Sequence, residues 1–325
     1  MQNLVKHCVK SGGVIKPLVV PAKETKGTGL FNPTVFVDGD TIYVNIRHCQ
    51  GTLYHSELSR FEHPRGPLLY LNPENDSTRT TTNFFGTLDS DLNIDKIYPV
   101  DTSSFVCLQP SSEFVGLEDC RIVKWNDKFY LSGVRRDQDP AGTGRMELSE
   151  LDISPGHVKE VSRFRIPAPA PDISYCEKHW MPITDKPFHY VKWSNPTEVV
   201  SVDTSEVVTT TTHLGSGRDL SYNLRGGSQV IPFKGGYLAI QHLIYYYQTE
   251  QARKNVTYTH QFTYWDKDWN VVRRSETFDF MDAKIERCCG MAQYGNDYLI
   301  TFGVQDNAAY VLKVPGNILE DFIDD

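Results

Sequence analysis

The sequence of 325 residues contains few of the patterns that mark helical, membrane or secreted proteins. Apolar residues rarely recur at a helical spacing, and the one clear exception is a short acidic stretch near Asn317–Phe322, where we predict a helix. No apolar run approaches the roughly 20 residues that cross a membrane, and the first residues lack the apolar core of a signal peptide. We therefore expect a cytoplasmic protein without a membrane partner.

Signals for metals, cofactors and nucleic acid are also missing. The seven cysteines are odd in number and irregularly spaced, so they do not indicate a disulfide framework, and no Cys-x-x-Cys pair suggests zinc. No His or carboxylate cluster has metal-ligand spacing, and neither a Walker loop nor a Gly-x-Ser-x-Gly elbow occurs, so we expect no metal or cofactor. A formal net charge of -8 argues against nucleic acid as a partner, although it leaves room for a small basic pocket.

The sequence does contain one plan that is repeated five times. Each unit has a polar opening, an apolar run, a tight turn and an alternating strand. The openings are Asn32–Thr34, Glu118–Arg121, Glu177–Trp180, Arg225–Ser228 and Glu286–Gly290. The strands that follow the turns are Thr41–Arg47, Phe129–Arg136, Pro187–Trp193, Tyr237–Tyr246 and Tyr298–Asp306. Repeated hairpins at this spacing are typical of a β-propeller.

We therefore predict an all-β, five-bladed β-propeller that forms a single domain over residues 1–325, with blades that open near residues 32, 118, 177, 225 and 286. The five polar openings should meet at one mouth and form a site there. Pro167–Pro171 is predicted to be an extended crossover between blades, and Asn72–Thr82 a surface loop or lid.

The carboxylate doublet Glu118-Asp119 is the strongest candidate for chemistry. Neighbouring residues of a strand point to opposite faces, so we expect only one of the two to face the central channel. A carboxylic acid in a pocket can donate a proton to a leaving oxygen, because burial raises its pKa. The alternative is a structural ion pair between blades, with Arg121 as the partner of the other carboxylate.

Several basic and polar residues near the strand ends are candidates for substrate binding. Lys178, His179 and Trp180 offer a cation for a phosphate and an indole face for a sugar ring, although a solvated strand end with a core Trp explains them as well. Beside Arg225, two glycines would let the backbone approach a ligand closely. The second strands end in Arg47, Arg135-Arg136, Lys192, His242 and Asp306, which predicts either a buried polar ring or a ligand site.

Read together, the openings resemble glycoside hydrolase family 130, the β-mannoside phosphorylases and related hydrolases. The similar segments are Phe31–Arg47, Gly116–Arg121, Gly226–His242, Cys289-Gly290 and Phe302–Asp306. A closer resemblance is to uncharacterised propeller modules that accompany bacterial glycosyltransferases, through Glu177–Pro182, Leu224–Gln229 and Thr301–Asp306. Cys120 stands where the family has Pro, and His179 stands where those modules have Asn.

This resemblance implies a glycosyltransferase or glycoside phosphorylase that forms or exchanges a glycosidic bond, mannosyl bonds included. The partners would be a sugar or glycan acceptor and a sugar phosphate or nucleotide sugar. Asp119 would be the general acid or base, with Glu118 as the alternate. The implied binding residues are Asn32, Arg47, His242 and Asp306 for sugar hydroxyls, Lys178, Arg135 and Arg136 for phosphate, and also Arg121, His179 and Arg225.

Two other functions are compatible with the same residues. An inverting glycoside hydrolase would need a second carboxylate to activate water, and Glu177 and Glu286 are the available partners. A carbohydrate-binding propeller without catalysis would keep the aromatic residues but would not need the Glu118-Asp119 doublet.

Overall fold

A computed structural model of the protein describes residues 2–55, 68–71, 78–105, 114–171, 174–216, 224–248 and 254–324. Most of the predicted loop at Asn72–Thr82 lies outside these ranges, and its last residues, from Arg79, belong to a strand. The described helices are α1 (Leu4–Lys10), α2 (Ala22–Thr25) and α3 (Gly316–Asp324). The helix predicted near Asn317–Phe322 is therefore confirmed, whereas α1, which Asn3 caps through the amide N–H of Lys6, was not predicted.

The remaining regular structure consists of strands. In chain order they are β1 (Gln2–Asn3), β2 (Val14–Pro17), β3 (Leu30–Asp38), β4 (Thr41–Cys49), β5 (Thr52–His55), β6 (Leu68–Leu71), β7 (Arg79–Leu88), β8 (Ile94–Asp101), β9 (Phe114–Val115), β10 (Glu118–Trp125), β11 (Lys128–Arg135), β12 (Arg145–Ser154), β13 (His157–Arg165), β14 (Met181–Pro182), β15 (His189–Ser194), β16 (Thr197–Asp203), β17 (Val208–Leu214), β18 (Leu224–Gly226), β19 (Ile231–Phe233), β20 (Gly236–Gln248), β21 (Lys254–Trp265), β22 (Val271–Arg274), β23 (Phe278–Asp279), β24 (Glu286–Tyr294), β25 (Asp297–Val304) and β26 (Ala308–Val314).

These strands form a five-bladed β-propeller, as predicted. The first blade is β3-β4-β7-β8, the second β10-β11-β12-β13 and the third β14-β15-β16-β17. In the fourth blade β18 and β19 pair with β20, and β20 pairs with β21. Two short strands, β22 and β23, pair with β21 in turn. The fifth blade is β24-β25-β26, and β2 from the N-terminal region completes it by antiparallel pairing with β26. This pairing closes the ring, because it joins the beginning of the chain to the last blade.

Apolar side chains fill the spaces between the blades. Trp125, Trp180 and Tyr190 pack between the second and third blades, and the rings of Phe280 and Phe302 stack between the fourth and fifth, with centroids 4.1 Å apart. The proline-rich segment 167–171 connects β13 to β14, so it lies between two blades as predicted.

A buried glutamine crosslinks the inner strands near the axis. The side-chain amide of Gln229 donates to the Thr34 hydroxyl and to the carbonyl oxygens of Val35 and Ile122, over 2.9–3.1 Å. Its oxygen accepts from the Met291 amide at 3.0 Å. One side chain from the fourth blade thus binds the inner strands of the first, second and fifth blades.

Within the described ranges, no group of three or more His, Cys, Asp or Glu residues is arranged to hold a metal ion. Among the helices that the structure describes, none is long and apolar enough to cross a membrane.

Candidate active site

The openings of the inner strands share an unusual backbone conformation. Asn32, Asp119 and His179 have φ values of 46°, 54° and 68°, in the left-handed region that L-residues rarely adopt. The strand pairing is irregular at the first two positions, between Phe31 and Thr34 and between Glu118 and Arg121. Strained backbone at the openings of three blades points to a functional site, because such strain clusters at active sites and ligand-binding positions, where the surrounding structure holds it.

This conformation overturns one expectation from the sequence. Glu118 and Asp119 were predicted to face opposite sides of the strand, but both carboxylates lie beside the guanidinium group of Arg47. Arg47 donates to Asp119 at 2.8 Å and to Glu118 at 2.9 Å. The left-handed residue interrupts the alternation of the strand, so adjacent side chains reach the same cavity.

Asp119 is held by three groups from two other blades. Besides Arg47, the side-chain amide of Asn32 donates to its Oδ1 atom at 2.8 Å, and Arg287 pairs with its Oδ2 atom at 2.7 Å. Gly303 makes room for Asn32, because a Cβ atom at that position would lie 2.5 Å from the Asn32 backbone nitrogen. The first, second and fifth blades therefore converge on one carboxylate.

The electrostatic surroundings keep Asp119 ionised. Burial alone would raise its pKa, but Arg287, Arg47 and the Asn32 amide outweigh burial and hold the pKa well below its usual range. Glu118 and Asp119 raise the pKa of Arg47 despite its burial, and Asp119 raises the pKa of Arg287 despite its burial. Asp119 is therefore a carboxylate, and Asn32, Arg47 and Arg287 engage its two oxygens.

Asp119 lies in a cavity of about 170 Å³ at the mouth of the propeller, which we call the mouth pocket. Its basic lining residues are Arg47, Arg79, Arg136, Lys178 and Arg287, and its acidic ones are Glu118, Asp119 and Asp306. Asn32, Phe31, Phe114 and Tyr258 add polar and aromatic surface. Five basic groups against three carboxylates make the pocket electropositive, although the whole chain is acidic.

A second cavity of about 250 Å³, which we call the side pocket, adjoins the first. Lys178 lines both pockets, and His179 and Arg225 line only the side pocket. The structure thus brings nine of the twelve predicted site residues to the two pockets. They are Asn32, Arg47, Glu118, Asp119, Arg136, Lys178, His179, Arg225 and Asp306.

Three predicted site residues do not line either pocket. Arg121 is 1% exposed and donates to the carbonyl oxygens of Gly226 and Gly227, so it links the second blade to the fourth rather than pairing with a side-chain carboxylate. His242 is fully buried beneath His179, with ring centroids 5.4 Å apart.

The third is Arg135, which points into the body of the second blade. It pairs there with Glu147 at 2.5 Å and with Glu160 at 3.2 Å. Arg136, the next residue, faces the mouth pocket instead, because strand neighbours alternate. Of the two adjacent arginines, only Arg136 is placed to contact a ligand in the mouth pocket.

The two carboxylates suggested for water activation are engaged elsewhere. Glu286 is fully buried and accepts from the backbone amides of Phe280, Met281 and Ala283 at 2.5–2.9 Å. Glu177 lines the side pocket and accepts from the Ser174 hydroxyl and the Trp180 indole. Neither residue lines the mouth pocket.

Arg287, Arg79 and Tyr258 also line the mouth pocket, although none of them was predicted from the sequence. Arg287 carried a detectable signal, because it follows Glu286 at an opening just as Asp119 follows Glu118 and Lys178 follows Glu177. The second residue of all three openings lines the mouth pocket. Arg79 and Tyr258 carried no comparable signal, since both lie outside the five openings.

No family model and no curated protein matches this sequence. Solved structures do match. A β-1,2-mannobiose phosphorylase from Listeria innocua, in complex with β-1,2-mannobiose, has a TM-score of 0.58 at 16% identity, over 95% of this chain and 96% of that one. A mannose phosphorylase from Leishmania mexicana, in complex with phosphate, has a TM-score of 0.51 at 10% identity, over 96% and 92%.

A third structure comes from the GH130 family of mannoside phosphorylases, described as containing hydrolases that target β-1,2-mannosidic linkages in Candida mannan. It has a TM-score of 0.59 at 13% identity, over 89% of this chain and 85% of that one. At these identities the likeness establishes the fold. The chain is a five-bladed β-propeller of the kind found in glycoside hydrolase family 130, and the predicted resemblance is confirmed at that level.

Proposed function

We propose that this protein is a mannoside-active glycoside phosphorylase, which exchanges a glycosidic bond for a bond to phosphate. The observation that carries the proposal is the electropositive mouth pocket around Asp119, with five basic residues against three carboxylates. A phosphate dianion needs such a surplus of positive charge, and arginine side chains match its geometry. The relatives described as mannoside phosphorylases support the mannosyl group as the sugar.

In this proposal Arg136, Lys178 and Arg287 hold the phosphate, while Asn32 and Asp306 bind hydroxyl groups of the sugar. One phosphate oxygen bonds to the anomeric carbon as the bond from that carbon to the glycosidic oxygen breaks. The released oxygen takes up a proton from Asp119, directly or through a sugar hydroxyl, as the resemblance implies.

Binding of phosphate would also allow Asp119 to serve as an acid, although its pKa is low without the phosphate. Asp119 has a low pKa because Arg287 and Arg47 pair with it at 2.7 and 2.8 Å. An arriving phosphate would share the guanidinium group of Arg287 and weaken its pull on Asp119. The pKa of Asp119 would then rise toward the range where it can carry a proton.

Hydrolysis is the second candidate, and the presence of Asp306 in the mouth pocket favours it. An inverting hydrolase needs a second carboxylate to activate water. Glu177 and Glu286 are engaged elsewhere, and Glu118 pairs with Arg47 directly beside Asp119, so this proposal assigns the role to Asp306. Phosphorolysis needs no such base, because the phosphate itself is the nucleophile.

The test is to incubate the protein with β-1,2-mannobiose, with and without inorganic phosphate, and to measure mannose 1-phosphate and free mannose. Phosphate-dependent release of mannose 1-phosphate is the expected result. Release of two mannose molecules without phosphate would make the protein a hydrolase. If neither β-mannosides nor phosphate changes the melting temperature at millimolar concentration, the proposed reaction is wrong.

A further inference from the structure

The side pocket lies between the inner parts of the third and fourth blades. Residues 176–180 before β14, the end of β15 and the whole of β18 supply its walls. The mouth and side pockets are each smaller than the roughly 300–1,000 Å³ of pockets for drug-sized ligands, but together they fall within that range. Because Lys178 lines both, one ligand could extend from the mouth pocket into the side pocket.

Among the residues that the structure describes, two cations of the side pocket have no hydrogen-bond or ion-pair partner. Lys178 and Arg225 make no hydrogen bond or ion pair with any residue of the described ranges. Burial lowers the pKa of Lys178, and the electrostatic effects of Cys176, Asp119 and Glu118 offset burial only in part, so holding its charge there without a hydrogen-bonded anion costs free energy. Lys192 adds a third cation, which is tethered to Glu198 at 3.4 Å. Unpaired, partly buried cations that converge on a cavity are the arrangement expected for an anionic ligand.

The other side chains of the side pocket fit a sugar that carries this anion. Among the described residues that line the side pocket, Glu177 is the one acidic residue, and its two oxygens already accept from Ser174 and Trp180. Trp193 is half-buried and offers an indole face, on which a sugar ring can pack. The planar guanidinium of Arg225 can bind a phosphate or a carboxylate with two parallel hydrogen bonds.

We propose that the side pocket is an acceptor subsite for an anionic sugar, which binds a phosphate or carboxylate group through Arg225 and Lys178. The proposal rests on the proposed function, since it identifies the class of sugar joined to, or released from, the residue in the mouth pocket. A phosphorylated hexose and a hexuronic acid present the same chemistry to Arg225.

The experiment measures by calorimetry the binding of mannose, mannose 6-phosphate, glucuronate and GDP-mannose to the wild-type protein and to variants. We expect mannose 6-phosphate or glucuronate to bind at least tenfold more tightly than mannose. Arg225→Gln should weaken that ligand about 10- to 100-fold, because it loses a charged, bidentate contact. Arg225→Lys, which keeps the charge, should restore part of the affinity. The control variant Lys267→Gln, which removes a charge from a side chain that is 77% exposed, should leave the affinity for the anionic sugar unchanged.

Several results would overturn the proposal. One is that the wild type does not distinguish the anionic sugars from mannose. Another is that Arg136→Gln, in the mouth pocket, weakens mannose 6-phosphate while Arg225→Gln does not, since the phosphate would then lie in the mouth pocket. A third is that only GDP-mannose depends on Arg225. Phosphorolysis of the neutral substrate β-1,2-mannobiose is measured separately, so failure of the proposed function remains distinguishable.

Discussion

Replacing Asp119 by Asn tests whether this carboxylate performs chemistry or only connects blades. Asn keeps the shape of the side chain, and its oxygen can still accept one hydrogen bond, but it loses the charge and cannot carry the proton. Removal of a general acid lowers the rate about 10²- to 10⁴-fold. We expect a loss of this size in kcat for phosphate-dependent cleavage of β-1,2-mannobiose.

The substitution should also destabilise the protein, because Asp119 takes part in ion pairs between blades. Asp119 is 5% exposed and pairs with Arg287 and Arg47 at 2.7 and 2.8 Å. Removing one partner of a buried ion pair costs about 3–5 kcal/mol. Because the Asn oxygen keeps one contact and Glu118 remains beside Arg47, we expect a loss near the lower limit, about 3 kcal/mol. For a chain of 325 residues this lowers the melting temperature by roughly 4 °C.

Early melting alone therefore cannot separate the two roles, and a matched control is needed. Glu160 is also a buried carboxylate between two arginines, at 3.2 Å from Arg135 and 2.7 Å from Arg163, but it does not line the mouth pocket. Glu160→Gln should melt earlier by a similar amount and keep kcat within a few fold of wild type. If Asp119→Asn likewise melts early but retains near-normal turnover, Asp119 is a structural link and Glu118 becomes the candidate acid.

The remaining predictions concern the axis and the buried histidines. Gln229→Leu leaves buried partners on three blades unsatisfied, at about 1–3 kcal/mol each, so it should lower the melting temperature by several degrees in thermal unfolding. A change below 1 °C would mean that the axial amide does not stabilise the ring. Burial lowers the pKa of His260 to about 3, with Arg287 adding to the shift, and it lowers the pKa values of His179 and His242 as well. In the unfolded chain the pKa of histidine is about 6.5. The stability that comes from burying these histidines in the neutral form is therefore complete above that pH and is lost as the pH falls toward 3. The melting temperature should drop between pH 7 and 5, and it should drop less in His260→Gln.

The sequence predicts the blades well because the features that make them are local. Turns such as Asp38-Gly39-Asp40 and the alternating strand after each one lie within a few residues, so all five second strands are predicted to within two residues of their observed bounds. The closing strand β2 is different, since its partner β26 lies almost 300 residues away and nothing local identifies the pairing.

Side-chain direction is the part of the site that could not be predicted. A regular strand would turn Glu118 and Asp119 to opposite faces, and only the left-handed backbone at Asp119 brings both to Arg47. Whether Arg135 or Arg136 faces the pocket depends on which side of β11 meets the mouth, which the sequence leaves open. The motif around Arg121 suggests that this residue binds a ligand, but its guanidinium group donates to backbone carbonyl oxygens of the fourth blade.

The mouth pocket receives charged or polar residues from every blade, so it exists only when the ring is closed. The first blade supplies Arg47, the second Asp119, the third Lys178, the fourth Tyr258 and the fifth Arg287. This explains how an acidic chain can contain a positive pocket, because each blade contributes one or a few groups and no segment of the sequence is strongly basic. It also explains why Asp119 belongs to the site and to the fold at once. Its ion pairs to the first and fifth blades hold the ring together at the point where a ligand would compete for the same arginines.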